Sequence, residues 1–388
     1  MATLPNYQDL PDNSVVCLMS PTASGKTDLA FKLYQTGRFE LISVDSALIY
    51  RGMNIGTAKP SPSELRQFPH HLVDIIAPTD SYSVANFVSD TERLIGQIHQ
   101  RGKIPLLVGG TMMYYMALLD GISSVPETDS AIREQVKVWK DTQGNQALYD
   151  YLKQHDPAIC QKLGPSDTQR ITRAVEVHLQ TGRCMSQWQD LPKIALSHDP
   201  KWQWYGIIVM PDRAWLHERI EQRLDLMWSQ GFVAEVIELI NRYPDLTADM
   251  PAMRAVGYRQ VLEYLAATYH PCLVNHAGLM PYYQDYHAQH HTKTEQNAQK
   301  TGKNPQNSAI FNNFNKKSQK TTPNIGNLAC QDMKNKALYA TRQLAKRQYT
   351  WLRQLTLLDK PTITNLTIVS FDSIQQVEQQ LLQSPSWD

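Results

Sequence analysis

The most constraining feature of the chain is an apolar segment that runs into a loop of small residues and then into Gly-Lys-Thr. Residues 15–19 are Val-Val-Cys-Leu-Met, which predicts a buried strand, and residues 28–34 predict an amphipathic helix. Strand, loop and helix in this order are typical of a phosphate-binding P-loop. Backbone amides of such a loop bind an anion, so we expect a bound di- or triphosphate. The alternative is a chance Gly-Lys-Thr after an apolar strand.

The predicted phosphate site is a run of eight residues: Ser20, Pro21, Thr22, Ala23, Ser24, Gly25, Lys26 and Thr27. Lys26 supplies a positive charge, and the Thr27 hydroxyl is the expected protein ligand of Mg²⁺. The P-loop pattern has glycine at the position of Ser20, because glycine reaches backbone angles that other residues avoid. Serine there requires an ordinary φ angle.

Composition indicates a globular protein without a membrane segment. The chain has 388 residues, 42% of them hydrophobic and 19% charged, and at about 150 residues per domain it is long enough for two domains. Its five cysteines have no metal-ligand or redox spacing, which favours reduced thiols. The first 14 residues lack the basic start of a signal peptide. No apolar run reaches the roughly 20 residues that span a bilayer, so we expect a cytoplasmic protein.

Apolar segments alternate with helical ones in the first third of the chain. Further strands are predicted at residues 41–44, 72–76, 104–108 and 205–210, with a helix at 83–99. Nearly continuous apolar strands between helices predict an α/β fold, a P-loop NTPase-like parallel sheet with helices on both faces. Ligands of such sheets bind at the carboxyl ends of the strands. The P-loop, Asp45 and Thr111 all follow strand ends and are therefore expected to face one crevice.

The rest of the chain is divided by composition and periodicity. Residues 129–187 and 216–242 read as helical, and residues 284–327 are rich in Gln, Asn, Lys, Thr and His, which predicts disorder. The histidines of that segment have no recurring metal-ligand spacing. The predicted domains are a P-loop core (1–125, 205–270 and 333–358), a helical insertion (126–204), a low-complexity, disordered insertion (271–332) and a C-terminal tail (359–388). The tail holds a short β-like run at 364–371 and a weak helix.

Three polar residues are candidates for chemistry, each with a plainer alternative. Asp45 is interpreted as a metal ligand, a general base or, with Ser46, a helix cap. Thr111 follows Gly109-Gly110, which lets the backbone approach a ligand or simply forms a turn. Arg223 is either a site residue or a surface charge of an i,i+4 pair.

A basic surface is the remaining signal. Residues 334–353 contain six basic residues and no acid, with Tyr349 and Trp351 among them, which is typical of contacts to a nucleic-acid backbone. The pairs Arg170 with Arg173 and Arg254 with Arg259 repeat the pattern. Each stretch alone is equally a solvated helix face.

Eight motifs in this order resemble the series found in the tRNA dimethylallyltransferases. They are SPTASGKT (20–27), SVDS (43–46), GTAKP (56–60), PHHLVD (69–74), GGT (109–111), QR (169–170), RAVGYR (254–259) and KRQYTWLR (346–353). The resemblance covers about residues 15–269 and 336–353. The insertion near 271–332 and Ser20 depart from the family pattern, and no C-terminal zinc-finger pattern is present.

The resemblance implies transfer of a dimethylallyl group from dimethylallyl diphosphate to an adenosine beside the anticodon of tRNA. The P-loop then holds the diphosphate with Mg²⁺, Asp45 is the general base, and Thr111 and Arg223 contact the leaving group. The implied partners are the tRNA anticodon stem-loop and the allylic diphosphate, and we expect a monomer. The implied RNA contacts are Asp45, Ser46, Ala47, Leu48, Thr111, Arg133, Gln169, Arg170, Ile171, Thr172, Arg173, Arg254, Ala255, Val256, Gly257, Tyr258, Arg259, Lys346, Arg347, Gln348, Tyr349, Thr350, Trp351, Leu352 and Arg353.

Three other functions share parts of this pattern. A P-loop kinase of a small molecule or nucleotide has the same loop and sheet, and an adenylate isopentenyltransferase uses a free nucleotide as acceptor. Both leave the basic stretches without a role. A nucleotide-gated RNA-binding protein performs no transfer, and in it Asp45 is dispensable.

Overall fold

The structure is a computed structural model that describes residues 4–289, 323–358 and 365–382. The chain forms two compact units. The first comprises residues 1–115 and 200–388, and the second comprises residues 116–199. The sequence predicts the helical insertion at 126–204, and the structure places the boundaries of the second unit at 116 and 199.

The first unit is organised by a sheet of six parallel strands, in the order β3-β2-β4-β1-β5-β6. The strands are β1 (Ser14–Met19), β2 (Phe39–Val44), β3 (His70–His71), β4 (Ile104–Gly109), β5 (Gln203–Val209) and β6 (Leu366–Phe371). Every residue of β1 and β4 is buried, as expected of strands covered on both faces. Full burial of one Val, Leu or Ile side chain stabilises a fold by about 1.5–3 kcal/mol. The predicted parallel α/β sheet is confirmed.

Helices of the first unit cover both faces of this sheet. They are α1 (Lys26–Gln35), α2 (Pro62–Gln67), α3 (Val84–Gln100), α4 (Met112–Leu119, which continues into the second unit), α9 (Arg213–Ser229), α10 (Phe232–Arg242), α11 (Tyr258–Ala267), α12 (Pro271–Val274), α13 (Pro323–Leu355) and α14 (Ile374–Leu382). Residues 280–289 are also helical, and 356–358 form a 3₁₀ turn. One core cluster joins α1, α14 and the strands. A second joins α9, α10, α11 and α13.

The second unit is helical, as predicted. Its helices are α5 (Ser130–His155), α6 (Pro157–Cys160), α7 (Thr168–Thr181) and α8 (Met185–Gln189), with a 3₁₀ turn at Leu196–His198. Gly144 has a φ angle of 80° and kinks α5. The unit has its own core, which includes Val136, Leu148, Leu152 and Ile171.

Two predictions of regular structure are wrong in detail. The strand expected at 72–76 is absent, because Leu72 (φ 63°) and Asp74 (φ 56°) have left-handed backbones that an extended strand does not allow. The third strand is instead the short His70–His71. The helix expected at 216–242 is two helices, α9 and α10, because Gly231 has a φ angle of 93° between them.

The predicted disordered insertion at 271–332 is too wide at both ends. Residues 271–274 and 280–289 are helical, and α13 begins at Pro323. Leu273 and Leu279 are fully buried in the core of the first unit. Burial of these two side chains stabilises the fold of this polar-rich part of the chain. Residues 290–322 lie outside the described part of the chain.

The C-terminal tail is part of the first unit. Its predicted β-like run is confirmed as β6, which pairs with β5 over six residues, and its predicted helix is α14. Glu378 of α14 receives a hydrogen bond of 2.6 Å from Lys32 of α1. Within the described residues, none of the helices combines the length and hydrophobicity of a membrane-spanning segment.

Gly109 ends β4 at a point where two strands approach closely. A Cβ atom at this position would lie 2.0 Å from the carbonyl oxygen of Val44 at the end of β2. The close approach brings the loops after β2 and β4 together, since Val44 and Gly109 are paired in register.

We expect Gly109→Ala to lower the free energy of unfolding by about 1–3 kcal/mol or more, because the added methyl group overpacks against backbone. Gly96→Ala is the matched control: Gly96 lies within α3, and no side chain or neighbouring element comes within 4 Å of the place that a methyl group would take. Alanine there should stabilise by about 0.5–1 kcal/mol. Urea unfolding measures both variants, and equal stabilities would contradict the close approach.

Candidate active site

A cavity of about 540 Å³ lies at the carboxyl ends of β1, β2 and β4. Thr22, Lys26 and Thr27 reach it from the loop after β1, Asp45 from the loop after β2, and Thr111 from the loop after β4. The structure therefore brings the three predicted polar features into one crevice, all within the first unit.

The start of α1 is built to receive an anion. Gly25 (φ 90°) precedes the helix and provides no side-chain cap, whereas Ser61, Ser83 and Asp212 cap α2, α3 and α9 with side-chain oxygens. The first amides of a helix need an acceptor from outside the helix. Those of α1 are therefore available to a phosphate, and the helix dipole favours negative charge there.

Serine at position 20 is compatible with this loop. The positive φ angles of the loop fall at Ala23 (63°) and Gly25 (90°), not at Ser20. The conformational freedom of glycine is therefore not needed at Ser20. The Ser20 side chain is fully buried, and its hydroxyl has no hydrogen-bond partner among the described residues.

Two cations converge on the P-loop. The Lys26 ammonium donates to the Pro21 carbonyl at 3.2 Å. The Arg223 guanidinium, on α9, donates to the Thr22 hydroxyl at 3.1 Å and to the Thr57 carbonyl at 3.3 Å. Burial and the neighbouring Arg223 lower the pKa of Lys26 to about 8, against the opposing effect of Asp45. Burial also lowers the pKa of Arg223, which stays charged because a free guanidinium has a pKa above about 12.

Asp45 is both a turn cap and a wall of the cavity. Its Oδ1 accepts hydrogen bonds from the amides of Ala47 (2.8 Å) and Leu48 (3.3 Å), so the predicted capping contact exists. Its Oδ2 has no such bond among the described residues, which leaves this oxygen for a ligand. Thr111 lies beside it: its hydroxyl accepts from the Ser46 amide at 3.0 Å and donates to the Ser46 hydroxyl at 3.3 Å.

A buried carboxylate that the sequence reasoning missed shapes one side of the cavity. Glu235 accepts hydrogen bonds from the amides of Asn54 (2.9 Å), Ile55 (2.6 Å) and Gly56 (3.1 Å). It also accepts one from the Tyr258 hydroxyl at 2.6 Å. The carboxylate thus holds the 54–57 loop, whose Thr57 carbonyl receives Arg223. The sequence could have indicated this role, because Glu235 is an acidic residue on the apolar face of the amphipathic helix α10.

Part of the cavity lining is apolar. Arg223 shares α9 with other cavity residues at helical spacing, and Phe232 begins α10. The Phe232 ring is fully buried and occupies the space that side chains at Gly56 and Gly257 would need. The apolar lining residues include Leu48, Met113, Ile220, Leu224, Met227 and Phe232.

The predicted RNA-contacting stretch 346–353 divides into two faces of α13. Tyr349 and Leu352 are buried within the protein, so the prediction that they contact RNA is corrected to a packing role. Gln348 is also buried but lines the cavity, and its contact with RNA stays a prediction. Lys346, Arg347, Thr350 and Arg353 are exposed, and Arg347 and Trp351 line the cavity. Gln348 lies three residues after the buried Ala345, so helical spacing places it on the buried face of α13. A polar side chain on that face is expected to bond to a group inside the protein, and the sequence could have indicated this.

The predicted stretch 254–259 divides in the same way. Arg254 and Arg259 are exposed, and Arg254, Ala255 and Val256 line the cavity. Gly257 and Tyr258 are buried, because the Tyr258 hydroxyl is bonded to Glu235 and its ring packs against Phe232 with centroids 4.9 Å apart. Gly257 and Tyr258 nevertheless line the cavity, so their predicted contact with RNA stays a prediction.

In the second unit, two predicted arginines meet at one segment. Arg173 donates to the Pro126 carbonyl at 2.7 Å, and Arg133 donates to the Thr128 carbonyl at 3.5 Å. Arg170 and Gln169 are exposed and Thr172 is partly buried. Ile171 is fully buried in the unit's core, so it is corrected to a core residue.

The donor set fits a magnesium ion that takes most of its ligands from a bound diphosphate and water. The described residues contain no group of three or more His, Cys, Asp or Glu side chains that could bind a metal. The exposed Thr27, the Asp45 carboxylate and the Ser43 hydroxyl are all oxygen donors that line the cavity, and the buried Ser43 hydroxyl has no partner within the described residues. Oxygen ligands in small number suit Mg²⁺, which retains water readily.

Comparisons with known proteins match nearly the whole chain. The family model described as IPP transferase matches residues 48–300. A tRNA dimethylallyltransferase of Psychrobacter sp. (strain PRwf-1) is 56% identical over 378 residues, which is 95% of each chain. The chain belongs to the IPP transferase family.

Solved structures extend the likeness to the fold of this family member. The crystal structure of a full-length tRNA isopentenylpyrophosphate transferase from Bacillus halodurans is similar with a TM-score of 0.52 and 27% identity, over 92% of this chain and 90% of that one. A eukaryotic dimethylallyltransferase acting on tRNA is similar with a TM-score of 0.63 at 19% identity, over 95% of this chain and 76% of that one. The second likeness concerns the fold alone.

The pKa of Lys26 predicts how anion binding depends on pH. Lys26 loses its proton as the pH rises through about 8, so the affinity for inorganic pyrophosphate should fall above that pH, by up to about tenfold per pH unit. Lys26→Met removes this contribution and should bind weakly with a flatter profile.

Calorimetry between about pH 7 and pH 9.5 measures both proteins, and the ionisation of pyrophosphate itself appears in both profiles. Lys32→Met is the control, since Lys32 is an exposed lysine on the same helix, and it should follow the wild type. Parallel profiles for wild type and Lys26→Met would contradict the assignment.

Proposed function

We propose that this protein transfers a dimethylallyl group from dimethylallyl diphosphate to the exocyclic amine of an adenosine next to the anticodon of tRNA, with release of diphosphate. The observation that carries the proposal is the mixed lining of the cavity, which combines Lys26, Arg223 and uncapped helix amides with apolar side chains. An allylic diphosphate likewise combines an anion with a short hydrocarbon. Membership of the IPP transferase family supports this choice over a kinase.

The leaving group is stabilised by groups that are in place before reaction. As the bond between the allylic carbon and the bridging oxygen breaks, the electron pair stays on the diphosphate. Lys26, Arg223 and the amides at the start of α1 face the growing negative charge. Fixed dipoles and cations aimed at developing charge are usually the largest contribution to catalysis. Thr111 follows β4, and we propose that its hydroxyl hydrogen, which is donated to the Ser46 hydroxyl in this structure, turns to the bridging oxygen when the donor binds.

We propose that Thr27, with Asp45 and Ser43 near it, holds Mg²⁺ together with the diphosphate. The ion neutralises charge on the leaving group when it is bound. No cluster of carboxylates is needed for this arrangement, because the diphosphate oxygens are themselves ligands.

Asp45 is the proposed general base. The adenine amine is a weak nucleophile, since its lone pair is delocalised into the ring. It bonds to the allylic carbon as its proton passes to a carboxylate oxygen, and Oδ2 of Asp45 is the oxygen that carries no internal hydrogen bond among the described residues. The base must leave its stack to enter the cavity, which costs least in a loop such as the anticodon loop.

We propose that exposed basic residues at the cavity hold the acceptor. Arg254 and Arg347 line the cavity, and Lys346 is exposed on the same turn of α13 as Arg347. Arginine and lysine at such positions bind phosphates of the RNA backbone. We further propose that the protein acts as a monomer and that the reaction takes place in the cytoplasm.

The proposal is tested by incubating the protein with radiolabelled dimethylallyl diphosphate and Mg²⁺, with unmodified tRNA in one tube and AMP in another. We expect label in tRNA and none in AMP. Label in AMP would instead support an adenylate isopentenyltransferase. Consumption of ATP without any label transfer would support a kinase.

Asp45→Asn tests the base while it keeps the turn. The amide oxygen still accepts the bonds from Ala47 and Leu48, but the side chain no longer takes a proton. We expect the single-turnover transfer rate to fall by about 10²–10⁴-fold, with tRNA affinity within a few fold of wild type.

Asp28→Asn is the matched control, because Asp28 is an exposed acid in the first turn of α1, and it should transfer at nearly the wild-type rate. A near-normal rate in Asp45→Asn would exclude Asp45 as the base. A large loss of tRNA affinity would make Asp45 an RNA anchor instead.

A further inference from the structure

Gln348 connects two loops of the cavity from a distant part of the chain. Its side chain is buried on α13. Its Oε1 accepts a hydrogen bond from the Thr22 amide at 3.1 Å, and its Nε2 donates to the Gly110 carbonyl at 2.7 Å. Thr22 follows β1 and Gly110 follows β4, and these strands are neighbours in the sheet. One side-chain amide therefore spans the gap between the P-loop and the loop that carries Thr111.

The fit around this amide is tight. A Cβ atom at position 110 would lie 2.7 Å from the Gln348 Nε2, so a side chain there would displace the bridge. Thr22 is held a second time by Arg223, which donates to its hydroxyl at 3.1 Å. Both the backbone and the side chain of Thr22 are thus fixed from helices outside the loop. If the buried Gln348 amide lost these partners, the free energy of unfolding would fall by about 1–3 kcal/mol.

Gln348 uses an amide that a P-loop could otherwise aim at the ligand. The Thr22 amide points to Gln348, while the uncapped amides at the start of α1 remain for the anion. The shape of the loop around the phosphate is consequently set by a residue that does not need to touch the phosphate. The same helical turn carries Arg347, which lines the cavity.

We propose that Gln348 is a positioning residue that fixes the separation between the P-loop and the Gly109–Thr111 loop, and so sets the affinity for the diphosphate end of the donor. The inference rests on the proposed function for the identity of the donor, but not for the binding of its anionic end. Gln348 acts through Thr22 and Gly110.

Two variants and one control test the proposal. Gln348→Met fills nearly the same volume and can neither accept from Thr22 nor donate to Gly110. Gln348→Glu accepts from Thr22 in its charged form, and donates to Gly110 only when protonated. Gln354→Glu is the control, since Gln354 is an exposed glutamine on the same helix. Calorimetric titration with inorganic pyrophosphate and Mg²⁺, KM for dimethylallyl diphosphate, tRNA affinity and thermal unfolding are measured for each.

We expect Gln348→Met to weaken pyrophosphate binding and raise KM for the donor by about tenfold or more, as loss of about 1.4 kcal/mol implies. Its tRNA affinity should stay within about twofold of wild type, without a dependence on pH beyond that of the wild type. Gln348→Glu should lose as much pyrophosphate affinity at about pH 8 and regain it as the pH falls toward about 5.5. The protonated carboxyl group can then donate a hydrogen bond to the Gly110 carbonyl, as the amide does. Gln354→Glu should behave as wild type throughout.

Two outcomes would overturn the proposal. One is wild-type pyrophosphate affinity in Gln348→Met, which would mean that the hydrogen bonds of Gln348 do not fix the separation between the P-loop and the Gly109–Thr111 loop. The other is a parallel loss of pyrophosphate affinity, tRNA affinity and melting temperature, with no recovery of Gln348→Glu at low pH, which would mean a purely structural role. Pyrophosphate binding requires no transfer, so absence of labelled tRNA with the wild type would reject the proposed function and leave the role of Gln348 to be decided separately.

Discussion

The cavity depends on the close approach of two strands at Val44 and Gly109. Backbone fills the space that a side chain at position 109 would take, so the loops that follow β2 and β4 start side by side. β1 lies on the other side of β4 and ends in register at Met19. The three loops to which we assign anion binding, proton acceptance and contact with the bridging oxygen therefore begin at neighbouring strand ends.

Contacts of long sequence separation then set the shape of those loops. Gln348 is 326 residues from Thr22, and Glu235 is 180 residues from Ile55. Each is a single polar side chain on the buried face of a helix, and each satisfies backbone groups that would otherwise be buried without partners. Arg347, which lines the cavity, thus stands on the helix whose buried face carries Gln348.

Local sequence was enough to predict the sheet, the P-loop and its helix. Apolar runs of this length favour buried strands, and Gly-Lys-Thr between a strand and a helix is typical of a P-loop. It also identified Asp45, Thr111 and Arg223, which the structure gathers in one cavity. It failed where backbone angles at single residues decide the outcome, as at Leu72 and Asp74, where a strand pattern is interrupted. It failed again at Tyr349 and Leu352, since a contiguous motif on a helix necessarily includes both an exposed and a buried face. The partners of Glu235 and Gln348 lie too far along the chain for any local pattern to reveal.

The edge strand β6 has a consequence for the order in which the first unit is assembled. Residues 366–371 form the last strand of the sheet and pair with β5, and α14 after them contacts α1 near the beginning of the chain. During synthesis the second unit is complete long before these residues leave the ribosome. Until then the edge of β5 has no partner, and unpaired edges invite pairing with other chains. The edge of β5 in the nascent protein therefore stays without its strand partner until residues 366–371 have been synthesised.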